Sequence, residues 1–215
     1  MAAEDISIAL DETVLVTGAT GGVGVSTIQL AKARGARVLA GCMTASKADF
    51  ARRNGADAVI LLDRPDLRDG LRKEVAALTD GRGADVIVDN VNGVVLEACL
   101  RSLAWRGRIV IVGFTSDAYA PIRSNYLLIK NITATGLHWS DYRDRTPELV
   151  KRAQQDIFAL WSEGKLTPPV THAYRLEEAP AALRALADRR ALGKFVLLTD
   201  RYEGRLQPGA VMALA

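Results

Sequence analysis

Along most of the chain, short unbroken apolar runs alternate with segments whose apolar residues fall at helical spacing. The first run, residues 13–16, enters the cluster Gly18-Ala19-Thr20-Gly21-Gly22-Val23-Gly24, and a helical pattern leaves it through Val25, Ile28, Gln29, Leu30 and Lys32 before Gly35. Residues 37–41 read as a second strand, and 46–54 as a helix that Gly55 stops. Residues 58–62 read as a third strand, and 67–78 as an amphipathic helix ending near Gly81. A fourth strand, 84–89, is apolar on both faces through Val86, Ile87 and Val88. Residues 94–103 are helical, and 108–112 and 132–137 are the fifth and sixth strands. Such alternation of continuously apolar strands with helices predicts a parallel sheet covered on both faces. The expected fold class is α/β: a doubly wound, Rossmann-type sheet with a small C-terminal αβ segment.

The remainder has a different texture. Residues 147–164 read as one long helix carrying Leu149, Val150, Ile157, Phe158, Leu160 and Trp161, and Pro168-Pro169 breaks the chain after it. A strand at 170–175, a helix at 177–188 and a strand at 194–199 make the small αβ unit. The expected division is a dinucleotide-binding domain at 1–145, this C-terminal segment at 146–200 and a tail at 201–215. The tail, patternless from 202, is expected to fray.

Composition narrows the function. A chain of 215 residues, 49% of them hydrophobic, fits one domain with an appendage or two small ones. No apolar run approaches the roughly 20 residues of a membrane span, and the opening Met1-Ala2-Ala3-Glu4-Asp5 has no signal-peptide character. Cys42 and Cys99 make no disulfide framework and read as core thiols in a reducing cytoplasm. The net charge of +3 is scattered, and the pairs Arg52-Arg53 and Arg189-Arg190 read as solvated helix faces, so no nucleic-acid partner is expected. His138 and His172 stand far apart, with no metal-ligand spacing, and Gly-x-Ser-x-Gly is absent.

The glycine cluster carries the chemistry. Ala19 stands where a first glycine is usual, leaving Ala-x-Gly-x-x-Gly. Gly21 lets backbone approach a pyrophosphate, Gly24 lets the helix pack on its strand, and the N–H groups of Gly22 and Val23 face the phosphates with the helix dipole behind them. A plain tight turn uses such glycines too; the strand–turn–helix context favours phosphate. An NAD site wants a carboxylate at the end of the second strand, about 20 residues on. That position reads Gly41-Cys42-Met43, and Asp49 comes only later, inside a helix. Thr44, Ser46 and Lys47 instead offer hydroxyls and a cation, which suit the 2′-phosphate of NADP through charge-assisted hydrogen bonds. The same residues also serve as a helix cap and a solvated lysine.

With the glycine cluster, Asn54-Gly55-Ala56-Asp57, Val88-Asp89-Asn90-Val91-Asn92-Gly93, the run Gly107 to Phe114, and the ending Leu176-Glu177-Glu178-Ala179-Pro180 followed by Gly193-Lys194-Phe195-Val196, the chain resembles the medium-chain dehydrogenase/reductase superfamily. Within it, the zinc-independent quinone oxidoreductase group is most similar, and the resemblance covers about residues 8–199. It implies hydride transfer from NADPH to a quinone or another conjugated carbonyl. It further implies that Thr20, Gly21, Gly22 and Val23 hold the pyrophosphate and that Thr44, Ser46 and Lys47 hold the adenosine phosphate end. Asn90 and Val91 would border the cofactor, with Val112, Gly113 and Phe114 beside the ribose and nicotinamide. Leu137, His138 and Trp139 would lie near the carboxamide, and Lys194 near the cofactor. For Phe114, Leu137 and Trp139, core packing is the competing reading, and His138 otherwise caps a strand. No catalytic residue and no metal ligand is assigned.

Only 12 residues precede Thr13, where relatives carry a large barrel-like domain that closes the substrate cleft. A fragment that binds cofactor and turns over poorly is therefore expected. A nucleotide-binding module without catalysis is the rival from another class. A short-chain dehydrogenase using Tyr126 and Lys130 is a third reading, disfavoured because Pro121 interrupts the segment and strand follows Lys130 at once. The resemblance also suggests a homodimer pairing through the edge strand at 132–137.

Overall fold

The computed structural model describes residues 8–201, so the tail from 202 onward lies outside the described residues. Six parallel strands form the main sheet: β1 (Thr13–Thr17), β2 (Arg37–Cys42), β3 (Ala58–Leu61), β4 (Ala84–Asp89), β5 (Leu103–Ile111) and β6 (Thr133–Gly136), in the order β3-β2-β1-β4-β5-β6. Neighbours along β1, β2 and β4 point to opposite faces. Leu15, Leu39 and Ile87 join one core cluster, while Val14, Val16, Val38, Ala40 and Val86 join the other. Both faces are buried, so the strands read as unbroken apolar runs.

α1 (Gly22–Ala33) and α2 (Ala48–Arg53) cover one face, contributing Ile28, Ala31 and Ala51. α3 (Leu67–Leu78) and α4 (Val94–Ser102) cover the other through Leu71, Val75, Leu96 and Leu100. A short 3-10 turn, Ala45–Lys47, precedes α2. The doubly wound sheet expected from the sequence is therefore present, and its strand order reverses between β1 and β4. That switch point is where this fold leaves a crevice at the carboxyl ends of its strands.

Two strand boundaries depart furthest from expectation. β5 begins at Leu103, not 108, because a register shift between Ala84 and Val86 on β4 lets Ala104 to Gly107 bulge out, with Arg106 at φ 61°. The sixth strand is shorter than 132–137: Ile132 is buried below it, and Leu137 is already past its end, although Leu137 N–H still donates to Ile111 O at 2.9 Å. A helix, α5 (Ser124–Lys130), stands before β6; it starts beyond Pro121 and runs only seven residues, short of the long helix a Tyr126–Lys130 catalytic pair needs.

Two more helices follow, α6 (Trp139–Arg145) and α7 (Pro147–Ser162); neither has a buried residue. The C-terminal unit is β7 (Val170–Arg175), a 3-10 turn at Leu176–Glu178, α8 (Ala179–Ala187) and β8 (Lys194–Leu198), with β7 and β8 paired in parallel as a second sheet. Gly193, just before β8, bridges to Gly21 and so ties this unit to the glycine turn.

Candidate functional site

The carboxyl ends of β1 and β4 are sewn together at the switch point. Thr17 Oγ1 donates to Asp89 Oδ1 at 2.6 Å and accepts from Asn90 N–H at 3.0 Å, while Asn90 Nδ2 donates to Thr17 O at 2.8 Å. Asp89 is fully buried, and it also accepts from the N–H groups of Val91 (3.2 Å) and Asn92 (3.0 Å). Burial pushes its carboxyl above the usual carboxylate range, against the pull of the Thr17 hydroxyl and the two N–H donors. Asn92 Oδ1 accepts from Ala120 N–H at 2.9 Å, and Asn90 O accepts from Thr115 N–H and Oγ1 at 3.2 and 3.0 Å. These bonds fix the loop that leaves β5. Thr17, Asp89 and Asn92 were not among the expected site residues, although a buried acid closing the apolar run 84–89 is a readable signal.

The glycine turn is built for close approach. A Cβ on Gly24 would overlap Gly18 O and come within 2.8 Å of the Ala19 Cα, so at Gly24 α1 packs directly on the turn after β1 where packing on the strand itself was expected. Gly21 is the N-cap and has no side chain to cap the helix. Val25 N–H is the first in the helix to find an intrahelical acceptor, Gly21 O at 2.9 Å, leaving the N–H groups of Gly22, Val23 and Gly24 for a ligand. Thr20 is buried and its carbonyl accepts from Gly193 N–H at 2.8 Å; Val23 is exposed. Lys194 lies across Gly22, where a Cβ would overlap its Cε and Nζ. Alone among the expected residues it comes from the amino end of its strand.

After β2, Thr44 and Ser46 are exposed and their hydroxyls share a hydrogen bond of 3.0 Å. Lys47 is neither free nor merely solvated: its Nζ donates to Arg189 O at 2.8 Å. Asp49 is one turn further on and pairs with Arg52 at 3.0 Å, so no carboxylate stands at the strand's end.

Asn90 and Val91 are both buried at the switch point. Val112 and Gly113 follow β5, with Val112 N–H donating to Asp89 O at 2.8 Å. A Cβ on Gly113 would meet Asn90 O at 3.3 Å. Core packing does not describe Phe114 and Trp139, which are 46% and 55% exposed, while Leu137 is half-buried. Phe114 pairs with Tyr119, ring centroids 4.9 Å apart. His138 precedes α6 with no side-chain cap, its Nδ1 lying 3.4 Å from Asp141.

The Tyr126–Lys130 pair is not assembled. Lys130 Nζ donates to Arg101 O and Leu103 O at 2.8 and 2.6 Å, and Tyr126 lies beside Arg68. Cys42 and Cys99 are buried free thiols; burial pushes Cys42 up to about 11. Among the described residues, no three His, Cys, Asp or Glu side chains lie together as metal ligands, and no helix is long and apolar enough to cross a membrane.

Residues 22–155 match the family described as zinc-binding dehydrogenase. A quinone oxidoreductase-like protein 2 homolog from Nematostella vectensis is 35% identical over 192 residues, 88% of this chain and 51% of that protein. Among solved structures, mycobacterial Rv1454c complexed with NADPH superposes with a TM-score of 0.80 at 29% identity, covering 89% of this chain and 57% of that one. Escherichia coli quinone oxidoreductase complexed with NADPH superposes at 0.78 with 30% identity, covering 89% and 58%. The chain spans about half the length of the curated relatives it matches.

Proposed function

The chain belongs to the zinc-binding dehydrogenase family, within the medium-chain dehydrogenase/reductase superfamily, and from that premise we propose that it is the cofactor-binding part of an NADPH-dependent quinone or enone reductase. One observation carries the reading. The first-turn N–H groups of α1 open toward Lys194, while the turn after β2 offers Thr44, Ser46 and Lys47 and no carboxylate. A pyrophosphate suits the first set, and a 2′-phosphate suits the second better than a bare ribose does. Among the described residues, no group of three His, Cys, Asp or Glu side chains fits the zinc of the family's name.

NADPH supplies the hydride chemistry when bound. The chain's own residues do the holding. Gly22 and Val23 present backbone N–H groups to the pyrophosphate, Gly21 leaves room for its approach, and Lys194 adds charge. Asn90, Val91, Val112 and Gly113 form the wall that the Thr17–Asp89 network keeps rigid. Phe114, Leu137, His138 and Trp139 stand at the ends of β5 and β6, where the nicotinamide and a flat, conjugated acceptor would lie. Rigid placement and water exclusion are what a protein contributes to hydride transfer.

The exposed apolar side chains of α7, including Ile157, Phe158 and Trp161, support the division proposed above: residues 1–145 bind cofactor, and 146–200 pack on the part of the relatives this chain does not span. Edge strand β6, with Leu128 and Ile129 of α5 exposed before it, supports a homodimer through that edge. Free Cys42 and Cys99 are in keeping with a cytoplasmic setting. NADPH oxidation with a naphthoquinone acceptor tests the reading: slow turnover, driven by NADPH and not NADH, is expected of the chain alone. Turnover with no preference between the two would contradict it.

A further inference from the structure

α8 ends in a two-bond reversal that sends the chain back over the glycine turn. Arg189 N–H donates to Leu186 O and Arg190 N–H to Ala185 O, both at 3.0 Å, with Arg189 left-handed at φ 56°. These are the bonds of a Schellman stop. In this conformation the Arg189 carbonyl accepts from Lys47 Nζ at 2.8 Å. Four residues on, Gly193 N–H donates to Thr20 O at 2.8 Å, and the Lys194 side chain then crosses Gly22. Residues 189–194 thus run from the turn after β2 to the turn after β1 and are fastened at both.

The course of this segment is tightly set. Gly193 has φ +58°, and a Cβ there would overlap Pro169 O and meet Phe50 Cζ at 3.2 Å. Only glycine passes between those groups.

We infer that residues 189–194 act as a clasp that positions Lys47, so that the preference between NADPH and NADH depends on the C-terminal segment as well as on the turn after β2. This inference rests on the cofactor reading above. Arg189 is a positioning residue here, acting through its carbonyl. A free lysine loses much rotamer freedom when it grips a phosphate. Held by a neutral carbonyl, Lys47 has already lost that freedom and keeps its whole charge for an anion. Pre-organisation of this kind shows as affinity.

A double-mutant cycle on the full chain, read by calorimetric titration with NADPH and NADH, tests the clasp. In the parent, Lys47→Ala is expected to weaken NADPH on the order of tenfold, the cost of one ordered long side chain, and to leave NADH within about twofold. In a Gly193→Val background the same change is expected to cost NADPH less than about threefold, because the lysine is no longer held. An undiminished tenfold cost there would overturn the clasp alone. No effect of Lys47→Ala in the parent would overturn the clasp and the 2′-phosphate site together. Because Gly193→Val strains the fold, hydrogen exchange gives a second reading without it. In the cofactor-free chain, Lys47→Ala is expected to speed exchange of the Gly193 amide several-fold. Unchanged exchange would overturn the clasp.

Discussion

The side chain of Lys194 lies across Gly22, the first residue of α1, so closely that a Cβ on Gly22 would overlap the lysine's Cε and Nζ. A residue 172 positions later in the chain thereby places an ammonium at the positive end of a helix, where only an anion would balance it.

Gly22→Ala is therefore a probe of binding more than of folding. The atoms it displaces are the far end of a flexible side chain, so the change in unfolding free energy is expected to stay within about 1 kcal/mol. NADPH and NADH carry the same pyrophosphate, and both are expected to bind about tenfold more weakly once the ammonium is pushed aside. Calorimetric titration of the two cofactors reads this. Loss confined to NADPH would place Lys194 elsewhere in the site.

Thr17→Val keeps shape and removes the hydroxyl at the switch point. Asp89 would lose its shortest hydrogen bond, and the Asn90 N–H would lose its acceptor, both in buried surroundings. A cost of about 2–3 kcal/mol is expected from urea denaturation, with an unchanged denaturant slope. A cost below about 0.5 kcal/mol would show that the network contributes little.

Glu12 and Arg108 form a two-pronged pair, Nη1 to Oε1 at 2.8 Å and Nη2 to Oε2 at 2.7 Å, that joins the chain before β1 to β5. The hydrogen bond from Arg108 holds the Glu12 carboxyl below its ordinary value of 4.5. A carboxyl lowered in the folded state stabilises above its unfolded value, and that contribution is lost as pH falls through the folded value. Glu12→Gln is thus expected to cost about 1–2 kcal/mol at neutral pH. The gap should close as pH drops below the ordinary carboxylate range, as denaturation midpoints at several pH values would show. A gap independent of pH would mean packing, not charge, holds this corner.

The sheet was legible because β1, β2 and β4 are buried on both faces, and burial on both faces writes itself as an unbroken apolar run. The bounds of α3 and β7 follow from pattern alone, since each is a compact apolar–polar alternation between clear stops. α5 and α6 were not legible. Leu128 and Ile129 of α5 are 79% and 70% exposed and give no apolar stripe, and α6 buries nothing. The start of β5 was hidden by the bulge at Trp105 and Arg106, whose left-handed φ has no glycine to announce it. In the site, the glycine turn declared itself through local spacing. The contact from Lys47 to Arg189 joins positions 142 apart and depends on how α8 ends, which no local pattern records. Asp89 stood in plain view, but its role depends on Thr17, 72 residues away.

Whether this chain is built to hold NADPH is read by calorimetric titration of the parent and of Lys47→Ala with NADPH and with NADH. The parent is expected to bind NADPH at least about tenfold more tightly than NADH, a difference of about 1.4 kcal/mol. Lys47→Ala is expected to abolish the difference by weakening NADPH alone. Equal binding of the two by the parent would contradict the phosphate site after β2, and binding of neither would contradict the reading of the glycine turn as a cofactor site.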